Sequence, residues 1–265
     1  QGRLGILDGG ALSVEGTVMI GDGGSGLLEV RGGHLAASSL RLGSAAQGSG
    51  DVRLIDGVLD VTSIDKGAGD ATMSMTGGEL RTQTVAFGWE QEGGVWMLPV
   101  DGTQATVAGN YSLGKAATLH FTIKSGAAGL EAGELNIAGD AIIRGHLKVD
   151  APGGISVSQT SDVDLIVAHD FAAAEFTIDL PPGASWAIVP VGGVQEALRV
   201  TFAPSAVSPV AFDPPPGSYD APLTVTLSTD GPATIHYTTD GSAVSQGSPS
   251  APSPLTLTLE DLGPT

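Results

Sequence analysis

Apolar and polar residues alternate along short stretches of this chain, and most stretches end at a glycine or an aspartate. The first apolar pairs stand two positions apart, at Leu12 and Val14, Val18 and Ile20, and Leu28 and Val30. Alternation over a short stretch, bounded by turn-forming residues, is typical of β-strands and not of helices. The sequence therefore predicts an all-β protein built from short strands.

The turns between these strands recur at a nearly constant spacing. A period of about 23 residues separates the turns at Gly10, Gly33, Gly57, Gly78, Gly102 and Gly126. Self-similarity at such a period indicates a solenoid, in which each coil stacks on the one before. Glycine is favoured at the corners because a sharp turn often needs a positive φ, where a Cβ is costly. We predict a single-stranded β-solenoid with these six glycines at one corner of its coils.

Residues at equivalent positions of successive coils should form ladders, because stacked strands lie roughly 4.8 Å apart. One such buried ladder is predicted at Leu12, Leu35, Leu59 and Leu80. The fifth coil departs from the pattern, since Pro99 and the apolar residues around it are out of phase and suggest a bulge. We expect residues 89–94, which begin at Trp89, to form an outward loop.

The composition of the chain changes near residue 205. Only Pro99 and Pro152 of the 16 prolines precede residue 181, and no Lys or Arg follows Arg199. Alternating apolar and polar residues reappear in 223–228, 234–238 and 255–259, as in a small antiparallel sandwich. The predicted organisation is solenoid repeats at 1–130, terminal coils that cap the solenoid at 131–204, a linker at 205–209 and an Ig-like β-sandwich without its last strand or strands at 210–265.

Charge and composition exclude several classes of function. With 11 Lys+Arg against 29 Asp+Glu and a net charge of −18, the chain cannot form the basic surface that nucleic acids require. No apolar run reaches the roughly 18 to 20 residues that span a bilayer. The absence of cysteine excludes disulfides, thiolate zinc sites and cysteine nucleophiles. The five histidines lack metal-ligand spacing, so no cofactor is predicted beyond weak Ca²⁺ binding by the acidic surface.

Three phrases of the first half carry a resemblance to a known repeat: GGALSV at 9–14, VMIGDGGSGLLEVRGG at 18–33 and LRLG at 40–43. They resemble the repeat shared by autotransporter passenger domains and by exported proteins with the PEP-CTERM sorting signal. The resemblance covers about residues 1–130 and extends to about residue 204. It implies a right-handed solenoid, a bacterial extracellular or cell-surface location and a stalk or display role. It brings no catalytic residues.

The C-terminal part resembles a second family. Its phrases are FDPPPGSY at 212–219, VTL at 225–227 and, most specifically, IHYTTDGS at 235–242. They are similar to the chitobiase/β-hexosaminidase C-terminal-type module, also called fibronectin-type-III-associated. Such modules are accessory Ig-like domains of secreted bacterial enzymes and surface proteins, so the resemblance implies no chemistry in this part of the chain.

Few residues are candidates for chemistry or binding. On the predicted solenoid Asp56 and Asp101 occupy equivalent corners two coils apart, too far apart to act as a pair. A polysaccharide lyase-type helix, the enzyme alternative, needs clustered carboxylates with Arg or Lys, and the basic residues form no visible cluster. Sugar or protein contact is best assigned to Trp89 and Tyr219, whereas Trp186 is expected in the core.

These observations favour a non-catalytic, extracellular structural or adhesive scaffold. The predicted partner is a second copy, which associates head to tail by strand or coil complementation and so makes a filament. The alternative is a carbohydrate-binding or spacer region of a larger secreted polysaccharide-active enzyme, for which a surface polysaccharide is the partner.

Overall fold

A computed structural model describes residues 2–100, 102–126, 129–152, 154–155, 157, 159–173, 176–204, 210–219, 222–229, 233–245 and 247–260. It confirms the all-β class: 63% of the chain is strand, and the described residues form no helix. The chain divides into two compact units, Gln1–Ser205 and Ala206–Thr265, which we call the solenoid and the C-terminal unit. The expected linker at 205–209 lies outside the described residues.

Parallel pairing between the coils of the solenoid builds three faces. Face A consists of β1 (Gly2–Ile6), β3 (Ser25–Val30), β5 (Ser49–Leu54), β7 (Asp70–Met75), the first parts of β10 (Trp89–Met97) and β12 (Tyr111–Gly126), β15 (Ala141–Ile143) and β18 (Phe171–Ala173).

Face B consists of the first parts of β2 (Ala11–Ile20), β4 (His34–Leu42) and β6 (Val58–Lys66), β8 (Glu79–Arg81), the later parts of β10 and β12, β16 (His146–Asp150) and β19 (Thr177–Asp179). Face C consists of the later parts of β2, β4 and β6, β9 (Thr84–Val85), β11 (Gln104–Val107), β14 (Glu134–Ile137) and β17 (Ser161–Ala168).

The inward side of face B is a continuous apolar ladder. Its successive Cα partners are Leu12, Leu35, Leu59, Leu80, Trp96, Leu119, Leu147 and Ile178. From Leu35 to Leu147 these side chains have no exposed surface. Each coil therefore buries the inward residue of the coil below it, which one coil cannot do by itself.

The first four glycines of the predicted corner do share one corner, but the next glycine at that corner is not the predicted one. The amides of His34, Val58, Glu79 and Val95 donate to the carbonyls of Gly10, Gly33, Gly57 and Gly78, so these glycines occupy one corner. The residue that precedes Val95 is Gly94, and its φ of 71° is in the left-handed region. A Cβ on Gly94 would lie 2.7 Å from the backbone of Gly77. Gly94 is therefore the fifth corner glycine.

The assignment of Gly102 and Gly126 to this corner is wrong. Gly102 lies in the turn before β11, and Gly126 ends β12, where it pairs with Gly129 in an antiparallel hairpin with β13 (Gly129–Ala132). Unequal coil lengths are the reason, since the coil from Leu80 to Trp96 is much shorter than the coil from Leu147 to Ile178. The constant spacing of the turns in the sequence thus hides a short coil followed by longer ones.

The expected bulge lies slightly earlier than Pro99. The register between β10 and β12 shifts between Gln91 and Gly93. The bulge moves β10 from face A to face B at the corner where Gly94 turns the chain.

An antiparallel sheet extends face C at the C-terminal end of the solenoid. It consists of β17, β21 (Gln195–Phe202) and β20 (Ala184–Val191). Leu198 and Val200 of β21 are fully buried. Arg199, on the other side of the strand, donates to both carboxylate oxygens of Asp164 at 2.6 and 2.9 Å. The solenoid core is therefore covered at this end.

The C-terminal unit contains two small antiparallel sheets. One has the order β22 (Ala211–Asp213), β23 (Leu223–Ser228), β26 (Leu255–Leu259), and the other pairs β24 (Thr234–His236) with β25 (Ser250–Pro252). In β23 and β26 leucines and Val225 alternate with threonines, and like residues pair across the strands. One side of this sheet is thus apolar and the other carries hydroxyl groups.

Leu59→Asp is expected to abolish the cooperative thermal unfolding of the solenoid. The substitution places a carboxylate in the fully buried ladder, where no partner can offset its lost hydration. Leu7→Asp is the control, because Leu7 is 58% exposed. Circular dichroism during heating measures both variants, and a parent-like transition for Leu59→Asp would contradict the ladder.

Gly94→Ala should destabilise the protein more than Gly102→Ala. Both glycines have positive φ, 71° and 76°, and the strain costs roughly 1–2 kcal/mol at either position. Only at Gly94 does the added Cβ also meet backbone atoms, whereas at Gly102 it meets nothing within 4 Å. Urea denaturation gives the difference, and equal midpoints would argue against Gly94 as a corner residue.

Candidate interaction surfaces

Trp89 is part of the core and not of an outward loop. It begins β10, and only 7% of its surface is exposed. Its ring packs against Trp96 and Tyr111, with centroid distances of 5.7 and 5.6 Å, and these two rings are 5.8 Å apart. The expected loop at 89–94 is therefore a strand, and Trp89 is unavailable for sugar contact.

A buried glutamine beside the rings uses both ends of its amide in hydrogen bonds. The Tyr111 hydroxyl donates to Oε1 of Gln91 at 2.6 Å, and Nε2 of Gln91 donates to the carbonyls of Gly94 and Thr118 at 3.1 and 3.2 Å. Burial raises the pKa of the Tyr111 hydroxyl, so this hydroxyl stays protonated and acts as a donor. The aromatic cluster is thus a structural element of the core.

The outward side of face B carries a group of charges that the sequence analysis missed. Asp60, Arg81, Met97, His120, Lys148 and Asp179 are successive Cα partners. Arg81 forms ion pairs with Glu79 on its own strand and with Asp60 in the coil below, the latter at 3.8 Å. The column holds Arg81 and Lys148 three coils apart, so it aligns charges along the face without bringing two Arg or Lys side chains together.

The upper half of face B carries two histidines with acidic neighbours. His120 Nε2 lies 2.7 Å from Asp150, and Lys148 Nζ lies 3.0 Å from the same carboxylate oxygen. The hydrogen bond from Lys148 holds the pKa of Asp150 below its ordinary value, and His120 adds to this effect. His146 contacts Asp179 at 3.3 Å. The carboxylates of Asp150 and Asp179 are 46% and 76% exposed, so each pair contributes little to stability.

The charged side chains of face B offer little scope for catalysis or metal binding. Each acidic group described on the face-B ladder already has a basic neighbour. The described residues contain no set of three or more histidine or acidic side chains placed to hold a metal ion. Weak Ca²⁺ binding stays a prediction. The predicted equivalence of Asp56 and Asp101 involves Asp101, which lies outside the described residues.

Two aromatic side chains of the C-terminal unit are half exposed. The Tyr219 hydroxyl donates to the Pro215 carbonyl at 2.7 Å, and a Cβ on Gly217 would lie 3.1 Å from the Tyr219 ring. The ring therefore lies on its own loop and leaves 47% of the side chain exposed. Phe212 is exposed to a similar extent. Sugar or protein contact by Tyr219 stays a prediction, and Phe212 joins it as a candidate.

The IHYTTDGS phrase runs from strand β24 into a turn that Asp240 closes. Asp240 accepts hydrogen bonds from the backbone amide and the hydroxyl of Ser242, at 3.0 and 2.6 Å. These bonds, above all that of the hydroxyl, lower the pKa of Asp240. An aspartate that closes a turn in this way explains why the phrase is so specific in sequence.

Trp89→Ala is expected to cost about 3–5 kcal/mol in the free energy of unfolding, the usual loss for a buried tryptophan. The matched control is Trp186→Ala, because Trp186 is 41% exposed and packs against Phe176, with the ring centroids 5.0 Å apart. It lies outside the core, contrary to the sequence-based expectation. Urea denaturation measures both variants, and a smaller loss for Trp89→Ala than for Trp186→Ala would contradict the buried position.

Comparisons with known proteins identify only the C-terminal unit. No curated protein and no solved structure is significantly similar to this chain. None of the described residues forms a helix with the length and apolar character needed to cross a membrane. Residues 214–261 match the chitobiase/beta-hexosaminidase C-terminal domain family. This part of the chain is therefore similar to a non-catalytic domain associated with carbohydrate-active enzymes.

Proposed function

We propose that this chain is a structural region of an exported bacterial protein, in which the solenoid is a rigid scaffold and the C-terminal unit is an accessory module. The observation that carries the proposal is the unbroken ladder of fully buried residues from Leu35 to Leu147. Because every coil depends on its neighbours for burial, the coils are stabilised together and resist local opening.

The charged surface supports the same function. Arg81 is neutralised by Asp60 and Glu79, and Lys148 by Asp150. A catalytic base or acid usually has an environment that moves its pKa toward the working pH. Asp150 has the opposite shift, because its neighbours hold its pKa below the ordinary value. Paired, solvated charges of this kind suit a surface that stays soluble.

The proposal includes an extracellular or cell-surface location, which the two resemblances and the composition support. A cysteine-free, strongly acidic chain with a solenoid repeat suits export, and the repeat resembles that of autotransporter and PEP-CTERM proteins. Adhesion and filament formation belong to the same proposal.

A second candidate function is carbohydrate contact within a larger polysaccharide-active protein. Two observations favour it: the match of residues 214–261 to the chitobiase/beta-hexosaminidase C-terminal domain and the group of charges on face B. The polysaccharide lyase alternative would use the same charges, with Lys148 and Arg81 facing the carboxylates of a uronic-acid polymer.

The two functions predict different behaviour of the protein toward polysaccharides. We expect no co-sedimentation with insoluble cellulose, chitin or peptidoglycan and no unsaturated product from uronic-acid polymers, since the scaffold function needs neither. Co-sedimentation measures the first outcome, and the ultraviolet absorbance of the new double bond measures the second.

Lys148→Ala and Lys124→Ala are matched variants for this assay. Their side chains are 45% and 43% exposed, and each forms one ion pair, but Lys148 lies in the charged column of face B and Lys124 in the hairpin of β12 and β13. Product formation that is lost in Lys148→Ala and kept in Lys124→Ala would establish a lyase and overturn the scaffold. Retention on a polysaccharide without product would favour the carbohydrate-contact function instead.

A further inference from the structure

A histidine nitrogen and a methionine sulfur face each other on the outward side of face B. Met97 and His120 are Cα partners in adjacent coils, and Nδ1 of His120 lies 3.0 Å from Sδ of Met97. Both side chains are partly buried, and that of His120 is only 15% exposed. The register of β10 and β12 therefore holds the two atoms together on rigid strands.

The hydrogen bond to Asp150 decides which ring nitrogen of His120 carries the proton. Nε2 of His120 lies 2.7 Å from Oδ2 of Asp150, and Nζ of Lys148 lies 3.0 Å from the same oxygen. A carboxylate only accepts, so Nε2 carries the one hydrogen of the neutral ring and donates it. Nδ1 is left with a lone pair, and the thioether of Met97 has no proton to donate to it. Two lone pairs thus meet at 3.0 Å, which is unfavourable unless a cation binds both.

We propose that Met97 and His120 bind a soft monovalent metal ion, Cu(I), through Sδ and Nδ1. Thioether sulfur selects soft ions such as Cu(I), and imidazole also binds copper. Bonds as long as those at zinc, roughly 2.0 Å to nitrogen and 2.3 Å to sulfur, would span the separation of the two atoms at about a right angle. The angle can widen because a methionine side chain has three rotatable bonds. The site goes beyond the proposed scaffold function and does not depend on it.

Asp150 is placed as the outer partner that a metal-binding histidine usually has. Such a histidine donates its other ring N–H to a carboxylate or carbonyl, which fixes the ring and raises the basicity of the nitrogen that binds the metal. Asp150 makes this contact from the next coil, where it is the Cα partner of Thr122, two residues after His120. It therefore orients the ring and is not itself a ligand.

The charges around the two donor atoms favour a cation. Two basic side chains flank the donors in the same column, Arg81 on one side and Lys148 on the other. Three carboxylates contact these basic groups, those of Asp60, Glu79 and Asp150. Three negative charges against two positive charges leave one negative charge, which a monovalent ion neutralises. The ion binds to the uncharged donors of the column, whereas the carboxylates are already taken up by ion pairs.

Titration of the full chain with Ag⁺ tests the site. Ag⁺ is soft like Cu(I) and stable in air, and the chain has no cysteine that could compete for it. Calorimetry should show one tightly bound Ag⁺ per chain and, for Met97→Leu, binding weaker by at least about tenfold. Met19→Leu, expected to bind like the parent, is the matched control, because Met19 is 59% exposed and its Cα partner is Arg41 and not a histidine. A parent that does not bind Ag⁺, or equal loss in both variants, would overturn the proposal.

The methyl groups of the four methionines report where the ion binds. In NMR spectra of the chain labelled with ¹³C at these methyl groups, one equivalent of Ag⁺ should move the signal of Met97 and leave those of Met19, Met73 and Met75 in place. Met97→Leu assigns the signal by removing it. The same shift is expected with Cu(I) under nitrogen. A shift at Met19 as large as that at Met97 would mean unspecific binding to thioethers and would overturn the site.

Asp150→Asn tests the outer partner. We expect it to weaken Ag⁺ binding about 10- to 100-fold, as the loss of such a partner usually does. Asp179→Asn is the matched control, because Asp179 contacts His146 at 3.3 Å on the same face, and the Cα partners of His146 are threonines. Circular dichroism verifies that both variants are folded. Equal affinities of the two folded variants would contradict the role of Asp150.

Discussion

The parallel, in-register stacking of one coil on the next is the constraint on which the rest of the solenoid depends. It satisfies the strand backbones, and it fixes which side chain lies above which. The buried column from Leu35 to Leu147 and the charged column of Asp60, Arg81, His120 and Lys148 are the two sides of the same strands. Core packing and surface chemistry are therefore set by one alignment.

Much of this alignment could be predicted from the sequence where the coils have equal lengths. The leucine column and the first four corner glycines follow from a regular repeat, because equal steps make equivalent residues easy to recognise. The prediction failed after Gly78, where the next coil is much shorter and the next corner residue is Gly94. A turn glycine such as Gly102 has the same local signal whether or not it belongs to the stack.

The candidate sites depended on the same alignment. Trp89 looked exposed because polar residues follow it, yet it begins strand β10 as the partner of Tyr111, and its side chain is buried. His120, Lys148 and Asp150 looked scattered because the coils that carry them are longer than the regular repeat of the first half. The C-terminal unit was easier to predict from the sequence, because its signature is a local turn closed by Asp240. Recognising such a turn requires no knowledge of how distant strands pair.

The buried amide of Gln91 has a consequence for how the coils find their alignment. A column of leucines tolerates a slip by one side-chain repeat along the strand, since another apolar side chain then takes the vacated place. Gln91 does not tolerate such a slip, because its amide would lose the Tyr111 hydroxyl and the two carbonyls in a site without water access. One polar residue thus penalises misregistered coils beside the shortest coil of the stack.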